Sequence, residues 1–187
     1  MDLLYNNMCY RKITEDILEL KPKEVVTYLE LALKSETTVN VETLVKDLGI
    51  TRRTVNSHLR KFRKNGLIKV EKKYCQLSTN HCDLVEVKKL LNLPIDNALK
   101  GFLTLLNALC EDGKTQYSVS EMAEKLTIGT RMVAKYLKKA KELGYISRED
   151  GITKLLNKDI FVVDKKRKRY EDLLCDNWAE WLERGTK

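Results

Sequence analysis

The sequence predicts a mainly α chain with small β wings, built as two tandem copies of one small domain with extra helices at its ends. Three observations carry this reading. Residues 41–68 and 119–146 align without a gap, 78 positions apart, with nine identities in 28 positions. Seven of the nine are apolar or glycine, the residues that set a fold: Val41/Val119, Leu48/Leu126, Ile50/Ile128, Val55/Val133, Leu59/Leu137, Gly66/Gly144 and Ile68/Ile146. Each copy also runs in the same order: a helix, a tight turn, a second helix rich in Lys and Arg, then a hairpin. Finally, two prolines and eight glycines in 187 residues leave little room for irregular chain.

The elements follow in order. Residues 1–21 form an N-terminal helical segment with Leu3, Leu4, Met8, Ile13, Ile17 and Leu18 as its apolar positions. Residues 22–80 are the first domain. Pro22 suits the first turn of a helix, where its missing N–H costs nothing. Val25, Val26, Leu29, Leu31, Ala32 and Leu33 are that helix's apolar residues. Thr37 to Val39 is a short strand candidate. Asn40 caps a helix over residues 41–48, Gly49 allows the left-handed reversal and Thr51 caps the next helix. That helix spans residues 52–64, with Val55, Leu59 and Phe62 on one face, and Asn65-Gly66 closes it. Residues 67–71 and 74–77 are hairpin strands joined by Lys72-Lys73.

Residues 81–93 are a linking segment, its helix running from Asp83 to Leu91 and broken at Leu93-Pro94. Residues 94–164 are the second domain. A helix over residues 95–110 carries Phe102, Leu103, Leu105, Leu106 and Leu109, and residues 111–114 turn. Ser118 or Ser120 caps a helix over 121–126. Thr127-Ile128-Gly129 is the second turn, its glycine displaced relative to Gly49, so a different turn geometry is expected. A basic helix over residues 131–143 ends at Gly144, and strands over 145–148, 152–156 and 160–163 complete the hairpin region. Residues 165–187 hold a basic run and an amphipathic helix. Its stripe of Tyr170, Leu174, Trp178 and Trp181 either covers one of the domains or forms the seam of a homodimer.

Charge narrows the function. The net charge is +8, and it is concentrated. Residues 52–73 hold nine Lys/Arg and one acid, and residues 131–148 hold six and one, so the bias falls on the same part of both copies. That pattern favours a polyanionic partner. No run long enough to span a membrane is present, and the start lacks a signal-peptide layout. Five scattered cysteines without Cys-x-x-Cys spacing read as reduced thiols, which points to the cytoplasm and the nucleoid. Cys75, His81 and Cys82 are too irregularly spaced for a structural zinc site, so neither metal nor cofactor is expected. Two histidines, no Gly-rich phosphate loop and no recognisable carboxylate pair argue against an enzyme.

LVKDLGITRRTVNSHLRKFRKNGLIKV and MAEKLTIGTRMVAKYLKKAKELGYI together resemble the winged helix-turn-helix superfamily of bacterial and archaeal regulators. The likeness covers residues 22–78 and 94–164. It implies that the second helix of each copy enters a DNA major groove about 12 Å wide. With Val55, Leu59 and Phe62 turned inward, Arg52, Arg53, Asn56, Ser57 and Arg60 are the expected base-reading residues of the first copy. Lys61, Arg63, Lys64, Lys72 and Lys73 suit phosphates. In the second copy Thr130, Arg131 and Lys135 are the base-edge candidates, Ala134 stands where Asn56 stood, and Lys138, Lys139 and Lys141 suit phosphates. His58 and Tyr136, aligned with each other, are expected to pack at the helix shoulder.

Three functions compete. The first is a sequence-specific double-stranded DNA-binding regulator that occupies an operator. The second is a replication initiator of plasmid or phage type on origin repeats. The third is a tandem winged-helix interaction scaffold, which has no need of such concentrated basic charge.

Overall fold

The computed structural model describes residues 18–34, 40–71, 74–77, 85–157 and 159–161. Among them are seven helices. In chain order these are α1 (Pro22–Leu33), α2 (Val41–Leu48), α3 (Arg52–Lys64), α4 (Val87–Leu91), α5 (Asn97–Leu109), α6 (Val119–Lys125) and α7 (Thr130–Glu142). Five strands accompany them: β1 (Ile68–Glu71), β2 (Tyr74–Leu77), β3 (Lys114–Thr115), β4 (Ile146–Glu149) and β5 (Ile152–Leu155). The order helix, turn, helix, hairpin occurs at α2-α3-β1-β2 and again at α6-α7-β4-β5.

Local chemistry accounts for the helix ends. The Asn40 side chain accepts from the Glu42 amide, Thr51 from the Thr54 amide and Asp96 from the Leu99 amide, each occupying a donor the first turn leaves open. Ser118 and Glu121 form a reciprocal capping box at α6, which starts two residues earlier than the periodicity suggested. Gly49 takes φ 61° at the end of α2. In the second copy Thr127 occupies the equivalent position at φ 50°, and Gly129 becomes the extended N-cap of α7. The displaced glycine therefore does not alter the turn. A threonine carries the left-handed strain instead.

The packing is organised around α1 and α5. Both are buried nearly all round, which a helix shows when neighbours cover every face. Val25, Val26 and Leu29 of α1 and Leu99, Phe102, Leu103 and Leu106 of α5 belong to one continuous core with residues of both copies. The approach of α1 to α5 is close enough that a Cβ on Gly101 would overlap the Pro22 carbonyl oxygen. Asn97 Nδ2 donates to the Leu48 carbonyl at 2.8 Å, tying α5 to the end of α2.

The sheets are antiparallel. β1 pairs with β2 from Ile68↔Leu77 to Glu71↔Tyr74, and β5 lies between β3 and β4. Asp150 and Gly151, both at positive φ, make the tight β4–β5 turn.

Several expectations need correction. Residues 111–114 are not only a turn, because Lys114 opens β3 and gives the second hairpin a third strand. Of the strand expected over 160–163, residues 162 and 163 lie outside the described residues; Phe161 pairs with Val85 in an isolated bridge, and the Glu86 N–H donates to the Ile160 carbonyl at 2.9 Å. That bridge holds residues 85 and 86 extended, so the linking helix begins at Val87 instead of Asp83. On α3, His58 is buried whereas Leu59 is only partly covered, since α1 lies over the His58 side of the helix. The strand expected at 37–39, the segment 1–17, and the stripe of Tyr170, Leu174, Trp178 and Trp181 lie outside the described residues.

Candidate nucleic-acid interface

α3 is positioned by Val55 and Phe62, both fully buried, and by His58. Phe62 meets Tyr28 edge to face at 6.0 Å, and His58 Nδ1 lies 2.8 Å from the Thr27 hydroxyl of α1. Burial lowers the His58 pKa from its ordinary value, so the imidazole is neutral at pH 7. With these anchors inward, Arg52, Arg53, Ser57, Arg60, Arg63 and Lys64 are exposed, and Asn56 is half-buried. Arg52 reaches Glu42 at 3.0 Å, but both side chains are mostly in solvent, where such a pair is weak and readily exchanged.

Lys61 differs from its neighbours. Its ammonium lies 2.7 Å from Glu24 of α1, whose side chain is only 12 % exposed. Lys139, the equivalent residue of the second copy, lies 2.5 Å from Asp96 at the start of α5. That contact, ahead of the Asp96–Leu99 amide bond, holds the carboxyl below its ordinary pKa. Two of the expected phosphate ligands are thus held by acids that belong to the helices beneath them.

On α7, Val133, Leu137 and Ala140 face the core. Tyr136 stacks on Phe102 at 5.0 Å between centroids, so it packs at the shoulder as His58 does. Thr130, Arg131, Ala134, Lys135, Lys138 and Lys141 are exposed. Lys138 lies 3.9 Å from Glu142 on an open surface, and Lys141 Nζ is 3.5 Å from the Arg148 carbonyl. Lys72 and Lys73 lie outside the described residues, as do His81 and Cys82. Among the described residues no group of His, Cys, Asp or Glu is arranged to hold a metal. Burial pushes the Cys110 thiol up to about 12, far from thiolate reactivity.

The two basic helices are brought to one groove, which sequence reasoning did not anticipate. Two adjoining cavities of about 410 and 680 Å³ separate them. Thr54 and His58 of α3 and Met132 and Tyr136 of α7 line both, and these four are equivalent positions of the two copies. Arg53, Ser57 and Lys135 stand on the walls, and Lys23 of α1 joins them from below. The 78-residue offset already paired Thr54 with Met132 and His58 with Tyr136. What it lacked was any sign that the copies face each other.

Comparison with known proteins supports part of this geometry. No curated protein matches the chain. No described helix is long and apolar enough to cross a membrane. Residues 18–68, which span α1, α2, α3 and the entry to β1, match a family described as a helix-turn-helix domain, and such a domain points to DNA binding.

Proposed function

We propose that the chain is a sequence-specific double-stranded DNA-binding protein, built from tandem winged helix-turn-helix units and acting as a transcriptional regulator by occupying an operator. It works as a binder, not an enzyme. The observation that supports this most is the row of exposed, largely unopposed cations on α3, the last of the three helices in the matched segment. Arg53 is the first candidate for bidentate contact to guanine, with Arg52, Asn56, Ser57 and Arg60 beside it. Arg63, Lys64, Lys138 and Lys141 position the duplex through phosphates, and Arg131 and Lys135 extend the contact from the second copy. Lys61 drops out of the phosphate set because the mostly buried Glu24 carboxylate holds it, whereas Lys139, whose pair with Asp96 is about half exposed on both sides, stays in the set.

A duplex pool selected from random sequence tests the reading, followed by a salt titration on the enriched site. About six neutralised phosphates give a log K against log[salt] slope near −5. No enriched sequence, or a slope near zero, overturns it.

A further inference from the structure

The groove between α3 and α7 has features that reading a duplex does not use. Its smaller cavity, about 410 Å³, falls within the roughly 300–1,000 Å³ typical of small-molecule pockets. Val26, Leu48 and Ile50 supply apolar lining from the first copy, and Ala98 and Met132 from the second. Met132 is 42 % exposed, an uncovered large apolar side chain on an otherwise polar helix face. Tyr136, whose ring stacks on Phe102, adds an aromatic side chain to the lining.

The charges on these walls do not cancel. Asp96 is matched by Lys139. Lys23 and Lys135 make no ion pair among the described residues, and His58 carries no charge at neutral pH. The cavity is therefore apolar in its lining with two uncompensated ammonium groups on walls from different copies.

We propose that this groove binds a small aromatic anion, its ring against Met132 and Tyr136 and its acid group paired with Lys23 or Lys135. An apolar pocket with a few fixed polar groups recognises such a ligand by burying the ring while the ammonium compensates the acid. Lys135 is also assigned to DNA, so ligand and duplex compete for it. That coupling rests on the proposed function, whereas binding of the anion does not.

The probe is 8-anilinonaphthalene-1-sulfonate, titrated into the full chain without DNA and followed by its fluorescence. One saturable site is expected. Lys23→Gln combined with Lys135→Gln should weaken it at least tenfold, as should Met132→Trp, which fills the groove without altering charge. Lys88→Gln with Lys89→Gln, exposed cations of α4, should leave it unchanged. Multiple sites, wild-type affinity in either groove variant, or equal loss in the α4 variant overturns the proposal. If the anion binds and a selected duplex releases it, the coupling holds. If both bind together without mutual effect, the coupling fails and the site stands.

Discussion

Lysines three residues apart on α3 do different work, and the difference is measurable. Lys61 meets Glu24 across the seam with α1, partly shielded from water, while Lys64 is exposed beyond it. Lys61→Ala leaves a mostly buried carboxylate without its cation and should cost about 1–2 kcal/mol in urea unfolding, with the salt slope of DNA binding unchanged. Lys64→Ala should leave stability alone and lower the magnitude of that slope by about 1. If Lys61→Ala flattens the slope as much as Lys64→Ala does, Lys61 leaves Glu24 for a phosphate on binding. His58 gives a second test at this scale. Its folded pKa lies below the ordinary 6.5, so the unfolded chain binds the proton more readily. Its contribution to stability is therefore present above about pH 6.5 and lost as pH falls through the folded value. The fall in urea midpoint between pH 7.5 and 5.5 should be smaller in His58→Gln than in the wild type. An equal fall would assign the pH dependence to other groups.

Among the elements, the two turns are the most informative comparison. Gly49 and Thr127 hold equivalent left-handed positions, yet one is free of steric cost and the other is β-branched. An added Cβ at Gly49 would meet nothing within 4 Å, so Gly49→Ala reports the backbone conformation alone. That substitution should destabilise by about 1 kcal/mol, and Thr127→Gly should stabilise by up to about 1 kcal/mol, offset partly by the entropy glycine adds to the unfolded chain. Thermal melts of the two variants should move in opposite directions. Movement in the same direction would mean that the turns are not conformationally equivalent.

For the whole molecule, the α1–α5 seam decides cooperativity. One core runs through both copies, and Gly101 lets the Pro22 backbone approach where any side chain would collide. The described residues should therefore unfold in one transition, monitored by both far-UV and aromatic signals. Gly101→Ala must push two helices apart, because the clash is with backbone and not with a flexible side chain, and should cost about 3 kcal/mol. Two separated transitions in the wild type, or a neutral Gly101→Ala, would show two domains that merely touch.

The sequence by itself determined the parts whose causes lie within a few residues. The bounds of α2 and α3, the Asn40 and Thr51 caps, the Gly49 reversal, the first hairpin and the outward cations of both basic helices all follow from local periodicity and capping. Those interactions act between near neighbours in the chain, so the order of residues carries them. Tertiary structure alone decided which lysines are tied down, because Glu24 and Asp96 lie 37 and 43 positions from their partners. It also decided that His58 is more buried than Leu59, that β3 joins β5, and that Val85 meets Phe161 in a bridge instead of lying within the linking helix. The groove belongs to the same class. The order helix, turn, helix, hairpin recurs in the two aligned segments, but their relative placement depends on how α1 and α5 bury their remaining apolar faces. Both helices are buried on nearly every side, and one core that covers both exposes less hydrocarbon to water than two separate ones. That shared burial sets Thr54 and His58 across from Met132 and Tyr136.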